Sequence, residues 1–465
     1  MPSLSNALYI GLSGIRVNQQ GLNVAGHNIA NVNTEGYTRQ QIVLEANKPI
    51  LLNQFLFGTG VNLKSIARVR DAFLDRQYRD ENQLLGDFEK QSESIELVEG
   101  ILSEPGDTGL HQTIKNFFTS LQDLATNPES SSVRTTVSER GRSMARMFNQ
   151  MWTQLDKIRN NKNLEIIDQV KKVNEILDRV AELNVQIGST EALGNQANDF
   201  RDNRDRLLDE LSRMVDISAV EDPANNTMTV SIAGQSFVVI DKVTHVEARS
   251  ENIGGRMEIH LYNPEAKVAI ELRGGELRGL VEIRDRMIPG IQDQLDTLAR
   301  ALIDEVNAIH RQGYGLQGSR LSLPTGIDFF SGDDAQTIKI SSLINNDPGN
   351  IAASGGGAPG DNTNALELAM LRNKGVLNNG RFTFEDYLAS TVSAFGLQSD
   401  TIQQRRANQE ILVEHLSNFR ESVIGVNLDE ELVNLIRYQK AFGANARVIS
   451  TTNEMMGVLV QLGRY

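Results

Sequence analysis

Apolar residues recur every seventh position at both ends of the chain. Near the start, Leu8, Ile15, Leu22 and Ile29 form one line. Beside it run two smoother lines, Leu4, Gly11, Asn18 and Ala25, and Ala7, Gly14, Gly21 and Asn28. A helix puts such repeats on one face, so the segment predicts a helix with an apolar ridge next to a small-residue strip. Each glycine costs an isolated helix roughly 1 kcal/mol relative to alanine. The segment is therefore expected to be helical only against a packed partner. At the other end Leu428, Leu435, Phe442, Ile449 and Met456 repeat in the same way, with Leu432, Gln439, Ala446, Asn453 and Val460 beside them. Gly425 punctuates the chain before this run, and Asn427 followed by Glu430 predicts an N-cap. The final helix is expected to span about 35 residues, about 50 Å at 1.5 Å per residue.

Three further helical patterns lie between. One covers about 133–187, with Ile166, Val173, Val180 and Ile187 in register. A second covers about 276–312, with Ile288, Leu295, Leu302 and Ile309, and Pro289 is expected to start or kink it. A third covers about 383–423, opened by Thr383 and Asp386 as a capping box. Repeats this sustained predict a bundle of long helices. A short polar helix is expected over 194–211, with Arg201, Arg204, Asp205 and Arg206 on a solvated face.

Between Val215 and Gly274 the period changes to two. Met228, Val230 and Ile232 alternate with polar residues, as do Met257, Ile259 and Leu261, and Val268, Ile270 and Leu272. Asp222-Pro223, Gly254-Gly255 and Asn263-Pro264 mark turns. This predicts a small antiparallel β domain. Residues 313–364 are irregular, with Ile327, Phe329, Phe330, Ile338, Ile340 and Leu343 as anchors. The expected fold is mainly α with an inserted β domain, long coiled-coil-like helices, and paired N- and C-terminal helices in discontinuous nested domains. Its parts are a terminal helical domain (1–60 and 426–465), a long-helix bundle (61–214 and 275–425, with the irregular 313–364) and a β domain (215–274).

Composition mostly excludes. The chain has 465 residues, and 46 basic against 60 acidic residues leave a formal charge of −14. Phosphate backbones are repelled by such a surface, and 5% aromatics with a single tryptophan, Trp152, offer few stacking platforms, so no nucleic-acid partner is expected. Absence of cysteine removes disulfides, thiolate metal sites and thiol nucleophiles. No stretch approaches the ~20 apolar residues of a membrane span, so no membrane partner is expected. The longest uncharged stretch in the first third is 49–63. No basic residue precedes Arg16, so no cleaved secretory leader is expected either.

Chemistry is scarce. No two of the six histidines stand at helical metal-pair spacing. Gly355 to Gly360 spells a dinucleotide fingerprint, but no strand leads in and Pro359 sits where a helix must open. Asp199, Asp202 and Asp205 fall on one helical stripe with interleaved arginines, the pattern of a solvated face. Asp333-Asp334 lacks calcium-loop spacing. No catalytic, cofactor-binding or metal-binding residue is expected.

The segment Asn28-Ile29-Ala30-Asn31, followed by Gly36-Tyr37, places asparagines at a helix end and a glycine in the turn. It resembles the N-terminal signature of the flagellar rod, hook and hook-associated protein 1 family. Its continuation Tyr37-Thr38-Arg39-Gln40 resembles the hook-associated protein 1 branch. So do Gly425 to Glu431, Tyr438 to Phe442 and Val448 to Met455, and in the middle Asn198-Asp199, Leu211-Ser212 and Gly274 to Leu277. The resemblance implies a structural, non-enzymatic subunit at the junction between flagellar hook and filament. It implies self-association in a ring, with hook protein, a second junction protein (hook-associated protein 3) and a cytosolic export chaperone as partners. It places the protein outside the cell, on the flagellum, after type III export. It assigns assembly to Leu8, Ile15, Leu22, Asn28, Ile29, Asn31, Gly36 and Tyr37, and assembly with chaperone binding to Leu428, Leu435, Tyr438, Phe442, Ile449 and Met456. The neighbouring readings are a hook or distal-rod protein, or an axial scaffold carrying a peptidoglycan hydrolase.

Overall fold

The computed structural model describes residues 2–34, 36–52, 55–102, 109–253, 256–316 and 325–462. The chain begins with α1 (Pro2–Ala30) and ends with α11 (Leu428–Leu462), which lie against each other in antiparallel register. Gly11 faces Ile449, Gly14 faces Asn445 and Gly21 faces Tyr438. The small-residue strip is thus the seam itself: Gly11, Gly14, Val17, Gly21, Val24, Ala25 and Asn28 are buried, while Leu8, Ile15, Leu22 and Ile29 are only half-buried. The expected central ridge flanks the seam because glycines let the backbones close up and let α11 supply the knobs. Asn427 caps α11 as expected, its Oδ1 accepting from the backbone N–H of Asp429 and Glu430 at 2.9 and 3.3 Å.

After α1 the chain forms a hairpin stem of β1 (Gln40–Ala46) and β4 (Val61–Arg68), bulged at Val43/Leu44. At its tip β2 (Ile50–Leu52) pairs with β3 (Phe55–Phe57). The later part of 1–60, placed in the terminal helical domain, therefore carries strands and no helix among its described residues. Next come α2 (Ala72–Leu102), α3 (Leu110–Thr126), α4 (Ser131–Ala192) and α5 (Asn198–Met214). The 62 residues of α4 reach roughly 90 Å.

The β region is two sheets. A four-stranded meander holds β5 (Ile217–Asp222), β6 (Thr227–Ile232), β7 (Gln235–Val239) and β8 (Lys242–Val243). A three-stranded one holds β9 (Glu247–Ile253), β10 (Arg256–Asn263) and β11 (Val268–Ala269). The third alternating run yields only this two-residue strand, and the turn expected at Gly254-Gly255 lies outside the described residues. These sheets share their core with helices. Val230, Ile232, Phe237 and Leu261 cluster with Ile166, Val173 and Val180 of α4 and with Leu207, Leu208 and Leu211 of α5.

α6 (Glu276–Glu282) then passes through a π-helical turn, 283–287, into α7 (Ile288–His310). The wide turn sits where the ring of Pro289 meets the carbonyl four residues back, so proline opens the regular helix instead of breaking it. β12 (Phe330–Ser331), β13 (Lys339–Ile340), α8 (Ser342–Asn346) and α9 (Thr363–Met370) follow. α10 (Phe384–Ile424) opens with the expected Thr383–Asp386 capping box. α3, the first half of α4, α7, α9 and α10 enclose a second core. Phe329, Phe330, Ile338 and Ile340 anchor the irregular segment as expected, but Leu343 is exposed and Ile344 is buried in its place. The glycine triplet cradles a carboxylate of its own chain: Asp361 accepts from the N–H groups of Gly355 and Gly356 at 2.9 and 2.7 Å.

His310 ties this segment down. Its fully buried ring donates from Nδ1 to the Ile327 carbonyl at 2.7 Å and accepts at Nε2 from the Ala352 N–H at 2.9 Å. Burial lowers its pKa to about 4. An unfolded histidine titrates near 6.5, so the neutral ring stabilises the fold fully above that pH and less as the pH falls toward 4. His310→Asn leaves at least one of these two buried partners unsatisfied and is expected to lower stability at pH 7 by about 1–3 kcal/mol. That difference should shrink toward pH 4, as followed by urea unfolding at a series of pH values.

Candidate functional site: the terminal helix pair and its latch

The helix-end asparagines act as spacers. Asn28 is fully buried at the end of α1. Its Oδ1 accepts from the Tyr37 hydroxyl at 2.7 Å and the Gln40 N–H at 3.0 Å, and its Nδ2 donates to the Gln40 carbonyl at 2.9 Å. One side chain thus folds the following turn back onto the helix. Asn31 donates from its side chain to the His27 carbonyl at 2.9 Å, an oxygen that also accepts from the Asn31 backbone N–H at 3.1 Å. Neither asparagine takes the left-handed conformation; Gly36 does, at φ 76°. Burial, reinforced by Asp199, Asp202 and Glu431, raises the Tyr37 hydroxyl pKa well above its ordinary value, so it stays a donor.

The next residues reach three other elements. The Thr38 N–H donates to Asp202 of α5 at 3.0 Å. Arg39 donates from its backbone to the Ile424 carbonyl at 2.9 Å, and its guanidinium pairs with Glu430 at 2.6 Å. Glu430 therefore reaches across to the turn rather than back to its own cap. The Gln40 carboxamide donates to Asp199 and accepts from Asn198, both at 3.2 Å. Tyr37-Thr38-Arg39-Gln40 is a latch joining α1, α5 and the α10–α11 corner.

Behind it lies a charge cluster that corrects the sequence reading. Asp202 and Asp205 are buried, and of the aspartate stripe only Asp199 stays at the surface. Arg204, placed on the same solvated face, is also buried and donates to Asn184 and Glu221. Arg68 pairs with Asp202 at 2.6 Å and Asp205 at 2.9 Å. Arg70 pairs with Asp75 at 2.7 Å, Arg79 with Asp209 at 2.7 Å and Asp205 at 3.3 Å, and Arg420 with Asp209 at 2.7 Å. Four arginines and four aspartates from β4 and its exit, α2, α5 and α10 cancel one another. Burial pushes the Asp205 carboxyl up, but Arg70, Arg68 and Arg79 overcome it and hold it far below the usual carboxylate range. Burial prevails at Asp202, which is raised despite Arg68.

A periodicity search misses this cluster because its partners are far apart in sequence. One signal was present. No lysine occurs between Lys64 and Lys90 or between Lys172 and Lys242, where the cations are all arginine. Arginine is the cation suited to buried, forked pairing with carboxylates. Among the described residues no group of histidine and carboxylate side chains is placed to hold a metal ion, and no helix is long and apolar enough to cross a membrane.

The other singled-out residues fall on the helix pair. Leu435, Tyr438, Phe442, Ile449 and Met456 occupy the half-buried side of α11, whereas Leu428 is exposed at its start. Pairing leaves much apolar surface bare: Leu432, Val433, Ile436, Met455, Val458 and Leu459 on α11, and Tyr9, Ile10 and Leu12 on α1. Only Glu431 and Thr452 of α11 are buried. Removing one carboxylate from a buried charge cluster leaves its cations uncompensated. Asp205→Asn is expected to cost about 3–5 kcal/mol at neutral pH. The ionised carboxylate stabilises the fold above the ordinary aspartate range near pH 3.9 and loses that effect in stronger acid. The gap between wild type and variant in guanidinium unfolding should therefore narrow below that pH.

Known proteins share this architecture. Residues 95–330 match the family model described as flagellar hook-associated protein FlgK helical domain. Residues 8–38 match that of flagella basal body rod protein, and 422–462 that of flagellar basal body rod FlgEFG protein C-terminal. Flagellar hook-associated protein 1 of Bacillus subtilis (strain 168) is 29% identical, the alignment covering 99% of this chain and 98% of the relative. The Salmonella typhimurium protein of the same name is 26% identical over 99% of this chain and 100% of its own. That alignment runs to 561 positions, well beyond the 465 residues here, so the relative carries insertions this chain lacks. The solved structure of the flagellar hook junction protein FlgK from Burkholderia pseudomallei superimposes with a TM-score of 0.64 at 16% identity, over 75% of this chain and 100% of that one, a likeness of fold.

Proposed function

The chain belongs to the flagellar hook-associated protein FlgK family and is a structural protein of the bacterial flagellum, and we propose that its paired terminal helices build the junction between hook and filament. The observation that carries this reading is the apolar surface left bare on α11 after it has paired with α1. A helix with a bare apolar side opposite its packed one is built to receive neighbours. Copies of this chain form the ring, through Leu8, Ile15, Leu22 and Ile29 on α1 and Leu428, Leu435, Phe442, Ile449 and Met456 on α11. The motif residues Asn28, Asn31, Gly36 and Tyr37 fix the angle at which the pair leaves the rest of the molecule.

The hook protein lies on one side of the ring and the second junction protein, hook-associated protein 3, on the other. Residues 1–60 and 426–465 line the inner tube, 61–214 and 275–425 surround it, and 215–274 lie furthest out. The role is mechanical, without an enzymatic step. The protein reaches the outside of the cell through the flagellar export channel, accompanied by a cytosolic chaperone that binds α11 through Leu428, Leu435, Tyr438, Phe442, Ile449 and Met456.

Leu435→Asp combined with Phe442→Asp is expected to abolish entry into the junction while the two β sheets stay folded. The measurements are filament attachment in cells carrying the variant and the thermal transition of the purified chain. Filaments attached normally by this variant would refute the seam. Hydrogen exchange supplies a second check: α1 and α11 should exchange rapidly in the isolated chain, and strong protection from Leu8 to Ile29 would contradict the reading.

A further inference from the structure

The tip of the hairpin carries apolar residues on both faces. Cross-strand partners in β2 and β3 share a face, so Ile50 and Phe57 lie on one side with Phe55, and Leu51 and Leu56 on the other. All five are exposed: Leu51 by 68%, Phe55 by 69% and Leu56 by 71%. A ribbon that rests on one surface needs one apolar face and turns the other to water. A ribbon apolar on both faces needs cover from two sides.

The stem sets where the tip goes. The Asn6 carboxamide donates to the Gly58 carbonyl at 3.1 Å, and the Ser13 hydroxyl accepts from the Val61 N–H at 3.2 Å. The hairpin therefore runs back along α1 toward its first residues. Gly11 faces Ile449, so the last turns of α11 lie at that same end. There α11 carries no charge from Met455 to Leu462 and leaves Met455, Val458, Leu459, Val460 and Leu462 exposed. The hairpin is likewise uncharged from Pro49 to Leu63. Two bare, uncharged surfaces thus sit at one end of one molecule without covering each other, and a second copy brings both.

We propose that the β2–β3 tip inserts between the helix pairs of neighbouring copies and seats on the uncharged last turns of α11 of a second copy. The inference rests on the axial assembly proposed above. Tip to α11 is a head-to-tail contact, which continues from copy to copy and closes only if the rotation closes. It links copies through a segment outside the α1–α11 seam.

The absence of cysteine makes the test clean. Two singly substituted chains, a tagged Leu56→Cys and an untagged Leu459→Cys, are produced together in cells lacking the native protein, and isolated hook–filament structures are oxidised. A disulfide between tagged and untagged chains is the expected result, absent when either chain is produced alone. Incorporation of both chains without this cross-link overturns the inference and leaves the proposed function standing. Failure of the unsubstituted chain to enter the junction overturns both. Leu51→Glu with Leu56→Glu should leave the melting of the isolated chain unchanged and lose incorporation; normal incorporation refutes the contact. Binding of the native chain to phosphatidylcholine–phosphatidylglycerol vesicles, lost in that double variant, would assign the tip to a membrane instead.

Discussion

Matching four arginines with four aspartates around buried Arg79, Asp75, Asp202 and Asp205 is the constraint on which the molecule turns. Charges taken out of water are tolerated only when every one is matched and hydrogen-bonded. Here the matching groups come from segments at opposite ends of the chain: Arg68 and Arg70 near the start, Asp202, Asp205 and Asp209 in the middle, and Arg420 near the end. None of these segments can leave alone without stranding a charge. The cluster therefore sets the direction of the hairpin stem, of α5 and of the last turns of α10. The four latch residues then transfer that geometry to α1 and α11.

The helix pair obeys a different physics. Its seam is built on glycine, and its outer side stays apolar. The joint is thus settled within one molecule, whereas the pair remains energetically unfinished until other molecules arrive. In the assembly proposed above the contrast has a use: one part is complete within the molecule, and the other is left to receive neighbours.

Much of the fold was legible because seven-residue and two-residue periods survive in single segments. The helices at both ends, the α10 capping box and the alternating strands of β6 and β10 could be read this way. The misreadings have physical causes. Glycine carries no hydrophobic signal, so periodicity puts the strip through Gly11, Gly14 and Gly21 on the flank, whereas it forms the seam. Asp202 and Asp205 look solvated on α5 because what buries them lies more than a hundred residues away. Asn28 was legible as a helix-end residue but not as the strut under Tyr37 and Gln40, since its partners are positioned by a turn whose shape no period records.

The helix α4 carries a consequence of its own. It lines one apolar core with Phe148, Trp152 and Leu155 and the other with Ile166, Val173 and Val180, without a break between. A continuous helix is stiff along its axis and cannot lose order in one half cheaply while the other half stays clamped. The two cores are therefore yoked. One continuous helix, and not two joined by a loop, thus fixes the spacing and direction of the sheet core relative to the bundle core. A displacement of one core is then a displacement of the other.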